Sequence, residues 1–98
     1  MSGAAATAGD ALRQTVLIAN KRGLHARASA KFVTLASAQD AEIEVEKDGS
    51  RVAGTSIMGL MMLGAAMGDH VVISASGPKA DAALAALVEL VEAKFGEE

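Results

Sequence analysis

The sequence predicts a two-layer α+β domain, a four-stranded and mainly antiparallel sheet with three helices on one side. Strand-like segments alternate apolar and polar residues, as a sheet with one wet face requires. Helix-like segments carry a single apolar stripe. The segments follow one another as β-α-β-β-α-β-α, with no internal repeat. The 98 residues fit one domain with a modest core. Residues 1–12, rich in small side chains, are expected to form a flexible tail, and residues 13–98 the folded domain.

Arg13 to Ala19, RQTVLIA, is rich in β-branched residues and short, so it is expected to be the first strand, with Val16 and Ile18 on one face. NKRGL, 20–24, has turn chemistry. Ala26 to Ala38 favours a helix, with Ala28, Phe32, Leu35 and Ala36 on one stripe. Ala41 to Lys47 alternates, placing Ile43 and Val45 opposite Glu42, Glu44 and Glu46. Asp48-Gly49 is a strong hairpin signal, so 51–55 should be the returning strand. Ser56 then stands as N-cap of a helix that Gly68-Asp69 should end. His70 to Ser76 is the last strand, inward at Val71, Ile73 and Ala75. Gly77-Pro78 should open the final helix, whose stripe is Leu84, Leu87, Val88, Val91 and Phe95, with Lys94 near its end.

Composition excludes several functions. There is no cysteine, so neither a disulfide framework nor a thiolate metal site is expected. Two phenylalanines are the only aromatics, too few for nucleic-acid binding by base stacking. Two histidines far apart make a weak case for zinc, and neither a metal nor another cofactor is expected. No apolar run reaches the roughly 18 residues of a membrane span, and the first residues do not read as a secretory signal, so a cytoplasmic protein is expected. Although the net charge is −3, no acidic residue occurs from Ala11 to Gln39, where Arg13, Lys21, Arg22, Arg27 and Lys31 stand. The positive field around His25 suits an anion or an acidic partner.

His25, within RGLHARAS (22–29), falls where the cap of the first helix should be. The first amides of a helix lack intrahelical partners and carry partial positive charge. An imidazolium is disfavoured there, and a neutral imidazole is a nucleophile. A phosphoryl group captured on that ring would bring negative charge to waiting amide donors, including that of Ala26. Arg27 could add a charge-assisted hydrogen bond, and Gly23 would let the loop backbone approach. The pattern points to a reversible phosphohistidine. No carboxylate lies near in sequence to complete a hydrolytic triad. A histidine without such neighbours would be more simply structural.

Residues 57–63, IMGLMML, are apolar on nearly every face. A domain this small cannot surround such a helix. Leu60 and Leu63 are therefore expected inside, and Ile57, Met58 and Met61 outside as a partner surface, for which methionine is suited. Ser56 has two compatible readings, a structural cap and a phosphorylation site whose added charge would hinder an acidic partner.

The chain resembles the HPr family, the histidine-containing phosphocarriers of the bacterial phosphotransferase system, over about Gln14 to Phe95. GLHARAS around His25 and SIMGLMMLG from Ser56 carry the resemblance. It implies an HPr-like open-faced sandwich. It implies that His25 takes a phosphoryl group on Nδ1 from Enzyme I and passes it to an EIIA-type domain, assisted by Arg27. Ser56 matches a regulatory serine modified by an HPr kinase/phosphorylase. Ile57, Met58 and Met61 match docking positions, and Lys31, in the basic cluster, is expected to join them. The protein would act as a monomeric carrier rather than an enzyme with its own turnover. Ala28 stands where the family's usual motif has proline, as in some HPr-like proteins of nitrogen-linked branches, which leaves sugar transport and nitrogen signalling both open. Two other readings are a regulatory binding module working through Ser56 and the 57–61 patch, and, more remotely, a small metal-binding or hydrolytic domain.

Overall fold

The structure, a computed structural model, describes residues 11–97. The elements are β1 (Leu12–Leu17), α1 (Ala26–Ser37), β2 (Glu42–Lys47), β3 (Ser50–Ala53), α2 (Ile57–Met62), β4 (His70–Ser76) and α3 (Ala80–Glu92), followed by a short 3-10 turn, Lys94–Gly96. The four strands form one sheet in the order β1-β4-β2-β3, and every neighbouring pair is antiparallel. This is the expected open-faced α+β sandwich. The tail expected over 1–12 lies outside the described residues through position 10, and β1 already includes Leu12.

Alternation in the sequence becomes inside and outside in the sheet. Val16, Ile43, Val45, Val71, Ile73 and Ala75 are buried beneath the helices. The glutamates of β2 face the other way, where Glu44 and Glu46 lie within 3.7 and 3.5 Å of the Arg51 guanidinium on β3. Such exposed pairs contribute little to stability, but they fit the register in which Glu46 sits opposite Arg51. The β2–β3 turn has positive φ at both Asp48 (51°) and Gly49 (87°). That is the geometry whose twist matches a tight hairpin.

The helices lay their stripes on the sheet. Ala28, Phe32 and Ala36 of α1 are buried, with Leu35 packed against the same core. Leu87 and Val91 of α3 are also buried.

The first strand ends at Leu17 rather than Ala19 and the returning strand runs Ser50–Ala53 rather than 51–55, and three further boundaries differ from expectation. The second helix ends at Met62 rather than near Gly68, because Gly64 turns left-handed (φ 67°) and Ala65–Met67 leaves the helix. Pro78 precedes α3 instead of sitting in its first turn. The chain first makes a turn in which the Ala80 amide donates to the Gly77 carbonyl, and Lys79 is the N-cap. Phe95 is buried, as its spacing suggested, but it and Lys94 lie in the left-handed turn beyond α3.

Candidate functional site at the start of the first helix

The loop between β1 and α1 is tied down before it reaches His25. Asn20 is fully buried, and its Nδ2 donates to the Gly23 carbonyl at 2.8 Å. Gly23 has φ +63°, and a Cβ there would lie 2.3 Å from the Ala65 carbonyl oxygen. The same oxygen accepts the Leu24 amide at 2.9 Å. The segment after α2 is therefore the wall against which the loop rests. Gly23 serves this close approach between backbones.

His25 is the N-cap of α1. Its backbone is extended (φ −73°, ψ −179°), and its carbonyl accepts the Ser29 amide at 2.9 Å. Ser29, buried, donates its hydroxyl to the Leu24 carbonyl and ties the first turn to the loop. The ring's Nδ1 accepts the Arg27 amide at 3.2 Å. An acceptor nitrogen carries its lone pair and no proton. Ala26 is the first helical residue, and no acidic side chain stands in the first turn. The positive end of the helix is thus not neutralised from within.

The ring's other nitrogen meets a residue that sequence reasoning missed. Nε2 lies 2.5 Å from Oε2 of Glu97, which is 72 positions away in the chain. Oε1 of Glu97 accepts Nδ2 of Asn20 at 3.1 Å. The Asn20 amide, and next the His25 ring, hold the Glu97 carboxyl below the usual carboxylate range. The expectation that no carboxylate attends His25 held for sequence neighbours only. Nothing in FGE following a helix signals the contact, because the chain reverses through residues of unusual conformation to make it.

Lys21, Arg22, His25, Arg27 and Glu97 line a shallow cavity of about 240 Å³. The His25 side chain keeps 16% of its surface exposed, enough to be reached from solvent yet held on both edges of the ring. The guanidinium of Arg27 forms no ion pair among the described residues. Lys31 is less free, since its Nζ donates to the Phe95 carbonyl at 2.7 Å.

Ser56 is the N-cap of α2, and its Oγ accepts the Gly59 amide at 2.9 Å. Leu60 and Leu63 are buried, while Ile57, Met58 and Met61 are exposed, as expected. Met62 and Met67 extend the exposed apolar surface beyond the sequence-based set. Because α2 packs against α1, this surface lies on the helix next to the one that His25 caps. Among the described residues no group of three or more His, Cys, Asp or Glu gathers as a metal site, and no helix is long and apolar enough to cross a membrane.

Residues 12–93 match the family model described as the PTS HPr component phosphorylation site. The chain is 49% identical over 86 residues to the phosphocarrier protein HPr of Neisseria meningitidis serogroup A, covering 88% of this chain and 97% of that one. It is 45% identical to the phosphocarrier protein NPr of Shewanella violacea, covering 88% and 94%. The crystal structure of HPr-C-His from Thermoanaerobacter tengcongensis superposes with a TM-score of 0.85 at 49% identity, covering 89% of this chain and 98% of that one. With its fold, its histidine-capped helix and these relatives agreeing, the chain belongs to the HPr family of phosphocarriers of the phosphotransferase system.

Proposed function

We propose that His25 accepts a phosphoryl group from Enzyme I on Nδ1 and passes it to an EIIA-type acceptor. The single observation that carries this reading is the hydrogen bond from the Arg27 amide to Nδ1 at the mouth of a basic cavity. It identifies Nδ1 as the nitrogen with a lone pair. Attack by that pair on phosphorus forms the P–Nδ1 bond as the donor's bond to phosphorus breaks. The Arg27 amide, no longer needed by the ring nitrogen, and that of Ala26 then point at phosphoryl oxygens. The Arg27 guanidinium supplies charge, and Gly23 keeps the loop in place. The chain is a carrier that turns over only with its partners, works in the cytoplasm as a monomer, and requires no cofactor.

Docking is assigned to Ile57, Met58 and Met61, with Met62 beside them and Lys31 on α1. An apolar surface flanked by cations suits a partner with an apolar patch rimmed by carboxylates. Ser56 is assigned as the regulatory site for an HPr kinase/phosphorylase. A phosphate at this cap would lie beside the docking methionines and repel such a partner. A nitrogen-linked branch is the second reading of the pathway, favoured by the similarity to an NPr and by Ala28 at the position where the usual motif has proline.

The test is incubation with phosphoenolpyruvate and Enzyme I, followed by intact mass. The parent should gain one acid-labile, base-stable phosphoryl group and His25→Ala none. Undiminished labelling of His25→Ala would assign the phosphoryl group elsewhere. Labelling only by ATP and only at Ser56 would make the chain a regulatory module.

A further inference from the structure

We propose that Glu97 is a positioning residue for the carrier histidine. Its carboxylate holds the proton on Nε2 of His25, leaving Nδ1 as the nucleophile on the way in and neutral imidazole as the leaving group on the way out. The inference rests on the carrier reading of His25 and adds to it a device built from the end of the chain.

The geometry of that end is costly unless it serves a contact. After α3 the chain passes through three left-handed residues in succession, Lys94 (φ 59°), Phe95 (φ 55°) and Gly96 (φ 77°). Glycine adopts this conformation freely, whereas Lys and Phe are disfavoured in it by their Cβ atoms. Three features hold the reversal. Phe95 is 1% exposed, Lys31 donates to its carbonyl at 2.7 Å, and the Glu97 amide donates to the Lys94 carbonyl at 2.8 Å. The result is a strap that carries Glu97 back to the ring. Buried Asn20 then fixes the second carboxylate oxygen, so the carboxylate is held at both oxygens.

The two edges of the ring are thereby assigned. An amide donor faces Nδ1 and an acceptor faces Nε2, and both are satisfied by one tautomer, with the proton on Nε2. In phosphoryl capture no proton has to leave, because Nδ1 has none. The product ring carries Nδ1–P and Nε2–H, a cation facing the carboxylate. In transfer onward the P–Nδ1 electron pair returns to Nδ1 and neutral imidazole departs. Loss of the Nε2 proton would make the leaving group an imidazolate, a far poorer one. The other charges around the cavity are Lys21, Arg22 and Arg27, with Lys31 behind the strap, and all of them oppose a positive ring. Glu97 is the one carboxylate lining that cavity among the described residues.

The test uses the full-length chain labelled with nitrogen-15, with Glu97→Ala and Glu97→Gln as variants. Long-range proton–nitrogen NMR at neutral pH gives the tautomer of His25. The parent should hold Nε2–H. In Glu97→Ala the Arg27 amide alone still favours Nε2–H, so the share of the Nδ1–H tautomer should rise measurably above the parent's, and Glu97→Gln, whose carbonyl still accepts, should keep the parent's ratio. After phosphorylation with phosphoenolpyruvate and Enzyme I, transfer to an EIIA domain should be about tenfold slower for Glu97→Ala, and less affected for Glu97→Gln. A strap that merely fastens the chain end would leave the tautomer ratio unchanged. A Glu97→Ala ring that keeps the parent's ratio, or transfer as fast as the parent's, overturns the proposal. The tautomer measurement needs no phosphate, so failure of the parent to label at His25 would overturn the carrier reading separately.

Discussion

Gly23 has no room for a side chain. A Cβ would meet the Ala65 carbonyl at 2.3 Å, and φ +63° is unfavourable for any other residue. Gly23→Ala should therefore lower stability by at least about 2 kcal/mol in urea unfolding; a change near zero would mean that the loop does not rest on Ala65 as described. Glu97 contributes to the acidic limb of stability. Its carboxyl is depressed by the Asn20 amide first and the His25 ring second. A depressed acid contributes stability that is present above its unfolded value, about 4.3, and is lost as pH falls through the lower folded value. Carbon-13 titration should accordingly place the Glu97 midpoint below that of an ordinary glutamate. A midpoint at or above that value would contradict the Asn20–Glu97–His25 network. His25 was legible in the sequence because glycine, arginine and a helix start converge on it locally. Glu97 was not, since its approach depends on Lys94 and Phe95 adopting a left-handed conformation, for which a sequence of ordinary residues gives no sign.

At the scale of elements, α2 is six residues long and could not persist alone. Its start is held by Ser56, its underside by Leu60 and Leu63, and its fit to β3 by Gly59, where a Cβ would stand 3.0 Å from Val52. Ser56→Ala should cost about 1 kcal/mol of stability. Met58→Asp, on an exposed position, should change stability by no more than about 0.5 kcal/mol, yet slow phosphoryl transfer from Enzyme I. Unfolding curves together with transfer rates separate the two effects, and a Met58→Asp protein that transfers at the parent's rate would remove Met58 from the docking surface. The inward and outward sides of this helix followed from size and hydropathy alone. Its end did not, because two glycines, Gly64 and Gly68, both adopt positive φ and only packing selects which one stops the helix.

At the scale of the molecule, the antiparallel sheet is a platform on which three helices are laid, and the functional groups gather where chain segments distant in sequence meet. The loop after β1, the start of α1 and the residues after α3 meet at one imidazole, and the segment after α2 braces the loop that carries it. Alternation and apolar stripes made the platform readable from sequence, since both are local patterns. Convergence is a property of the closed fold. The central claim, that Nδ1 of His25 carries the phosphoryl group, is tested most directly by phosphorus–nitrogen coupling in the NMR spectrum of the nitrogen-15 protein phosphorylated by phosphoenolpyruvate and Enzyme I. The coupling should fall on Nδ1 of His25. Phosphorus on Nε2 of that ring, on His70 or on a hydroxyl would contradict it.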